Sequence, residues 1–306
     1  MAFLKREQDV KLRVRYNRKE IMSAFFFLLP AFAVLILFCY YPSMMAIRGS
    51  FFSWDGMNDE RFVGFRNYIN LFHNDVFWIS IKNVFEWSFG SVLITMCAPL
   101  IGALMIFHLK NNRAQYFYRA VFVVPMVVPT VVLIQIWSFI YEPNIGLLNN
   151  LLKLCGCEGL IRNWLGESKL VIPSLIFIGF PWISGLNMLI YYAGLQAIST
   201  DILEYGQMDG CSGRQSIIYI ELPLILGQVK LLLMLAIVNT LQNITIPLLL
   251  TGGGPGYDSY VPGLLMYYQA FRSTKFGMAY ATATVMFVII FSLTLLTNRI
   301  NSKNTR

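Results

Sequence analysis

Two groups of residues in this sequence have types and spacings that could do chemistry. The first is a set of amides, hydroxyls and indoles lodged inside otherwise apolar runs. Thr130 and Gln135 stand beside Trp137; Trp182, Ser184 and Asn187 share a second run; Asn239, Thr240, Gln242 and Asn243 share a third. Polar side chains in such runs are functional candidates, because an unsatisfied polar group in lipid is costly. Amide hydrogen bonds plus an aromatic face are what holds a sugar, and these residues supply both. The same side chains also bond helix to helix inside a membrane, so each keeps both readings.

The second group is the stretch 204–223, "EYGQMDGCSGRQSIIYIELP", which sets three acids, an arginine and three glycines between two long apolar runs. It reads as two short helices and a hinge. Asp201 with Glu204 pairs an acid at the N-cap with Glu at N3, and Ser212 with Gln215 is a clearer capping box. Gly210 suits the left-handed residue that ends a helix, and Pro223 suits the first turn of the next one. A solvated loop is the plain alternative, but such a loop needs no paired caps. Rigid short helices at a membrane face point to a surface on which another protein docks.

The elements that must position these residues follow from composition. Of the 306 residues 57% are hydrophobic and 13% charged, against about 25% charged in soluble domains. Six runs approach the roughly 20 apolar residues that cross a bilayer: 21–41, 84–107, 120–141, 170–195, 224–250 and 278–297. The first competes with a cleaved signal peptide, but it is longer than an h-region and lacks a small-x-small site in "CYYPSMMAIRG". Lys5, Arg6, Lys11, Arg13, Arg15, Arg18 and Lys19 place the N-terminus in the cytoplasm by the positive-inside rule. With six spans the C-terminus and the 204–223 stretch are then cytoplasmic too.

The expected organisation is a basic N-terminal arm (1–20), a membrane domain (21–298) with a cytoplasmic loop at 199–223, and a short tail (299–306). Within it, "FVGFRNYINLF" predicts a short amphipathic helix on the outer surface. The net charge of +8 is read as membrane topology, since its basic residues flank apolar runs instead of gathering on one face as a nucleic-acid site requires. Cys155 and Cys157 form a Cys-x-Cys without the second pair or nearby histidines that zinc needs; their redox state is left open.

The stretch 204–223 resembles the cytoplasmic motif of the permease subunits of binding-protein-dependent ABC importers: Glu-Ala-Ala, then Gly after three residues, then Ile-x-Leu-Pro after nine more. Glu204, Gly210, Ile220, Leu222 and Pro223 stand at those spacings, and Asp209 matches the acid of the sugar-importer form. Tyr205 and Gly206 replace the two alanines, and Cys211 replaces a third. "YRAVFVVPMVVPTVVLIQIWSFIYEPNIGLLNNLL", "PWISGLNMLIYYAGLQAIS", "LQNITIPLLLTGGGP" and "AYATATVMFVII" extend the resemblance over most of the chain. Together they are similar to the maltose-type and glycerol-phosphate-type branch, and "TGGGPG" with the basic arm resembles the first of two unlike permeases.

The resemblance implies an all-α, six-span type I ABC importer permease with both termini cytoplasmic, in a bacterial-type plasma (inner) membrane. It is not an enzyme on this reading, and it holds no cofactor; ATP and Mg are bound by a partner ATPase. Residues 204–223 become the coupling helix seated on an ABC ATPase dimer. A second permease, an extracytoplasmic solute-binding protein and a carbohydrate complete the partners. Thr130 and Asn243 align with sugar-contacting positions, and Met126 with a third where an aromatic is the rule. The chain has no Walker-A sequence; "TGGGPG" lacks the lysine and reads as a flexible outer turn.

Three rival functions are weaker. A polyol-phosphate importer would favour a cationic pocket, yet no arginine stands mid-span. An ion-coupled secondary carrier would need mid-span acids and commonly shows inverted repeats. A membrane-embedded enzyme would need a His, Asp or Ser constellation, and His73 and His108 both lie outside the runs.

Overall fold

The computed structural model describes residues 18–182 and 184–303, and the chain divides into two units, Met1–Arg48 and Gly49–Arg306. Most of the expected basic arm, and the last residues of the tail, lie outside the described residues.

In the first unit, α1 (Arg18–Leu35) runs through a π-helical turn (Ile36–Tyr40) into α2 (Tyr41–Gly49). The segment Phe25–Gly49 is 25 residues long and apolar enough to cross a membrane. Phe25, Phe26, Phe27, Leu37 and Phe38 are all exposed on it. A helix apolar all round suits a lipid environment.

The second unit is almost wholly helical. A two-residue antiparallel pairing, Phe52–Ser53 with Arg61–Phe62, precedes α3 (Arg66–Phe72), and α4 (Asp75–Phe107) follows. α5 (Asn112–Val123) leads through a 3₁₀ turn (Val124–Val127) into α6 (Thr130–Ile140), bent by 89° from it. Then come α7 (Leu147–Leu154), α8 (Val171–Phe177), α9 (Gly185–Gln196), α10 (Thr200–Met208) and α11 (Gly213–Ser216). A π-helical turn (Ile217–Glu221) joins α11 to α12 (Leu222–Leu224), followed by α13 (Leu226–Gln242), α14 (Thr245–Leu250), α15 (Pro262–Phe271) and α16 (Phe276–Lys303).

Among the described residues four helices are long and apolar enough to span a membrane, and the bent 112–140 pair makes a possible fifth. The expected fourth run, 170–195, is instead split into α8 and α9, with Gly179 and Trp182 at positive φ between them. Twelve residues of α9 rise only about 18 Å, short of the ~30 Å hydrocarbon core. The break has a sequence cause: Gly179 and Pro181 interrupt the hydrogen-bond ladder.

α4 is the organising element, packing along α9, α13 and α8, while α15 packs on α16. Asn74 caps α4 by accepting from the Val76 amide. One core cluster gathers Trp87, Trp137, Tyr141, Leu175, Leu241 and Tyr268; another gathers Ile106, Met188, Tyr191, Leu195, Ile225 and Leu232 around the opposite half of α4.

The loops divide accordingly. Asn83 donates to the Tyr257 and Tyr260 carbonyls, and the Trp164 indole donates to Asn149. The predicted amphipathic helix is α3, with Phe65, Ile69 and Phe72 exposed and Leu71 buried. Asn67 on α3 donates to the Ser50 and Phe52 carbonyls. Gly277, at the start of α16, lies so close to the Phe52 carbonyl that a Cβ there would collide with it. Gly277→Ala is therefore expected to lower the thermal midpoint of the purified protein, with an overpacking cost of about 1–3 kcal/mol; an unchanged melting curve would show that this junction yields freely.

Candidate functional site

The stretch 199–224 forms as two short helices with a fixed turn. Ser199, not Asp201, is the N-cap of α10, accepting from the Asp201 amide at 3.3 Å. This corrects the expected Asp201–Glu204 box: serine two residues earlier reaches the free amide first, and Asp201 falls in the first turn, where an acid favours the helix dipole.

The end of α10 follows expectation. Gly210 has φ +80°. Its amide bonds the Gln207 carbonyl at 3.0 Å, and the Cys211 amide bonds the Gly206 carbonyl at 3.0 Å. Those two bonds are a Schellman closure. Ser212 and Gln215 form both bonds of the capping box, at 3.4 and 2.8 Å. Pro223 stands in the first turn of α12.

The surface this makes is specific. Glu204, Tyr205, Asp209, Gly210 and Pro223 are exposed, whereas Ile220 and Leu222 are partly covered. Gly206 is buried; a Cβ on it would meet the Ile220 Cδ1 at 2.5 Å. The two ends of the motif therefore touch, and glycine lets the isoleucine sit close. Only the tip of a flexible side chain opposes a methyl here. Gly206→Ala is thus expected to be nearly neutral, its gain in helix propensity of about 0.8–1 kcal/mol offsetting the repacking. Gly206→Leu is expected to lower the melting temperature and split the two helices. Equal stability of both variants, measured by thermal melts, would refute the packed junction.

Further polar contacts fix the same end of the bundle. The Tyr192 hydroxyl donates to Gln115 at 3.0 Å, Gln196 donates to Tyr192 at 3.1 Å, and the Arg119 guanidinium lies 5.0 Å from the Tyr192 ring centre. They tie the start of α5 to the end of α9.

The candidates for the substrate path divide. Met126 lies in the 3₁₀ turn and Thr130 opens α6, and both are exposed. The start of α9 closes on this bend: a Cβ on Gly185 would come within 2.6 Å of the Phe122 carbonyl and 2.9 Å of the Met126 sulfur. Trp182, just before α9, has φ +56° and stacks edge-on against Phe177 and Phe180. A tryptophan in the left-handed region is strained, and such strain collects at functional sites. Asn243 terminates α13, its side-chain Oδ1 accepting from the Ile246 amide at 3.3 Å, and the following α14 packs on α6.

Asn187 takes the structural part, donating to the Thr95 carbonyl of α4 at 3.5 Å. Thr240 likewise bonds within its own helix. Asn239 is exposed, and Gln242 lines an apolar cavity of about 430 Å³ between α13, α15 and α16. The bend around Met126 and the α9 entry thus form one locus, with Gln242 facing another.

Sequence reasoning missed a polar recess of about 630 Å³ lined by residues including Trp54, Asp55, Asn67, Asn70 and Lys275. The Asn58 and Met57 amides and the Asn58 side chain bond the Asp55 carboxylate and hold its pKa down at about 2. Asp55-x-x-Asn58 is a turn signal that was legible but sat in a loop without a motif. Missed too was a bond between His108 and Glu221, which are separated by 113 positions. Cys155 and Cys157 are free thiols, and the described residues contain no cluster fit to hold a metal.

The model of the family described as "Binding-protein-dependent transport system inner membrane component" matches residues 98–306. The probable ABC transporter permease protein YurN of Bacillus subtilis (strain 168) is 34% identical over 286 residues, covering 92% of this chain and 96% of that protein. The trehalose/maltose transport system permease protein MalF of Thermococcus litoralis is 28% identical, over 94% of this chain and 96% of its own length. Among solved structures, a bacterial alginate ABC transporter in complex with alginate pentasaccharide-bound periplasmic protein contains a chain that superposes with a TM-score of 0.82 at 23% identity, over 94% of this chain and 96% of that one.

Proposed function

The chain belongs to the family of binding-protein-dependent transport system inner membrane components, a multi-pass ABC transporter permease, and we propose that it imports a sugar or oligosaccharide. The observation that carries the coupling half of this reading is the 199–224 segment. Doubly capped, closed by Gly210 and packed at Gly206–Ile220, it presents Glu204, Tyr205 and Asp209 to solvent as a rigid surface. A cytoplasmic ABC ATPase is the partner that this surface fits. ATP and Mg belong to that ATPase, and this chain does no chemistry of its own.

The carbohydrate half rests on the relatives' substrates and on the residues at the α5–α6 bend. Met126, Thr130, Trp182 and Asn243 are the proposed path, Trp182 supplying the aromatic face that Met126 lacks. A second, unlike permease completes the pore, this chain taking the place of the first of the two. An extracytoplasmic binding protein delivers the solute. ATP binding closes the ATPase dimer, the docked helices move with it, and the membrane helices rock outward; hydrolysis restores the inward-facing state. Each step is a population shift driven by differential binding to the two states.

The test is co-purification. Tagged chain, solubilised gently and examined by mass spectrometry, is expected to bring down a second permease and an ABC ATPase. Recovery of this chain alone would overturn the reading.

A further inference from the structure

His108 and Glu221 meet where the 204–223 stretch abuts the membrane helices. His108 is the C-cap of α4, and its Nδ1 lies 2.9 Å from the Leu104 carbonyl oxygen. Its Nε2 lies 3.1 Å from the Glu221 Oε1, and the Ser216 hydroxyl donates to that same oxygen at 3.0 Å. Glu221 closes the π-helical turn and is 1% exposed.

The donors can be counted. A carbonyl oxygen only accepts, so Nδ1 carries a hydrogen. A neutral ring then offers Nε2 as a lone pair, and an ionised carboxylate offers only lone pairs. Two such atoms do not bond at 3.1 Å. One proton lies between them, written either as imidazolium with carboxylate or as imidazole with carboxylic acid.

The arrangement is not a stabilising one. The Glu221 Oε2 is buried with no hydrogen-bond partner, and an unsatisfied buried oxygen is costly. An apolar side chain of similar size would fill the space more cheaply. The joint also stands between two parts that must move together. α4 packs along α9 and α13, and α10 packs through Gly206 on Ile220, the neighbour of Glu221, so the His108–Glu221 bond joins this rigid segment to the end of α4.

We propose that His108 and Glu221 are positioning residues, a one-proton latch that fastens the ATPase-facing segment to the end of α4, so that the two move as one body. The proposal rests on the docking reading of residues 204–223. With the latch intact, displacement of α10 is delivered to α4 and thence to α9 and α13. Without it, the segment shifts against the end of α4 and the displacement is not delivered.

The test uses the full complex of permeases, ATPase and binding protein in lipid nanodiscs, with native cysteines replaced. Spin labels are placed at Met208 on α10 and Met105 on α4, both well exposed. The distance distribution is recorded without nucleotide and after trapping with ATP and vanadate. The intact pair is expected to keep one unchanged distribution. His108→Leu and Glu221→Leu are expected to show it shifted and broadened after trapping.

Glu221→Gln is the conservative rescue. Its amide donates to Nε2 without any shared proton, and the distribution is expected to stay fixed. His108→Gln, donating to the carboxylate, is expected to do the same, and decides the matter should either leucine variant fail to assemble. An unmoved distribution in His108→Leu, or Gln variants that shift, would overturn the latch. ATPase content, measured in every sample, separates the two readings. Absence of the ATPase from the unmutated complex defeats the docking reading itself; its presence with an unmoved His108→Leu defeats the latch alone.

Discussion

Replacing Glu204 by lysine is expected to strip the ATPase from the purified complex while leaving the two permeases together. Glu204 is exposed on α10, and its side chain makes no hydrogen bond or ion pair among the described residues. The helix is capped by Ser199 and closed at Gly210, and its packing runs through Gly206. The lysine keeps helix propensity and changes only the sign of the surface. Reversing a charge at a docked contact costs about 2–5 kcal/mol when the partner is buried against it, and about 3 kcal/mol is more than a hundredfold in Kd. The readout is the ATPase-to-permease ratio after size exclusion, with the thermal melt of the permease as control. An unaltered ratio would remove Glu204 from the interface. A lowered melt would mean that the fold, not the docking surface, had been damaged.

The second large effect is expected at Gly185. This residue opens α9 where it closes on the bend between α5 and α6. A Cβ there stands 2.6 Å from the Phe122 carbonyl and 2.9 Å from the Val123 Cα, both backbone atoms. Backbone cannot rotate away as a side-chain tip does, so α9 and the 3₁₀ turn must separate. Overpacking of this kind costs about 1–3 kcal/mol for small insertions. Gly185→Leu is expected to exceed that range and to abolish solute uptake by cells expressing the transporter, the ATPase remaining bound. Met126→Ala, which removes atoms at the same place, is expected to keep the assembly intact. Uptake by Gly185→Leu at the level of the unmutated protein would mean that the bend is not part of the path.

Two glycines thus mark opposite cases. At Gly206 the neighbour is the end of Ile220, and alanine is expected to be tolerated; at Gly185 two of the three nearest atoms are main chain, and a side chain there is expected to force the elements apart. The sequence shows Gly206 in a polar stretch and Gly185 in an apolar run, but not what packs against either.

The local features were legible because local chemistry fixes them. Apolar runs, the Ser212–Gln215 box, the left-handed Gly210 and the N-terminal Pro223 each depend on a few neighbouring residues. So did α3, whose alternating aromatic and polar residues are seen in one short stretch. The cap of α10 is Ser199 and not Asp201, because sequence spacing allows the helix to start at either and only the backbone geometry decides between them. The run 170–195 has the composition of one span, since composition averages over Gly179 and Pro181, whereas the hydrogen-bond ladder does not.

What the sequence by itself determined is the solvent, the helical class and the capped 204–223 motif, each a matter of composition or of spacing within some twenty residues. Only the tertiary structure decided which polar side chains share a place. It set Met126 against the entry of α9, turned Asn187 to α4 and Gln242 to a separate cavity, and brought His108 to Glu221 across 113 positions. The physical reason is that helix propensity and amphipathicity act along the chain, while a hydrogen bond between distant helices exists only once packing has fixed their registers.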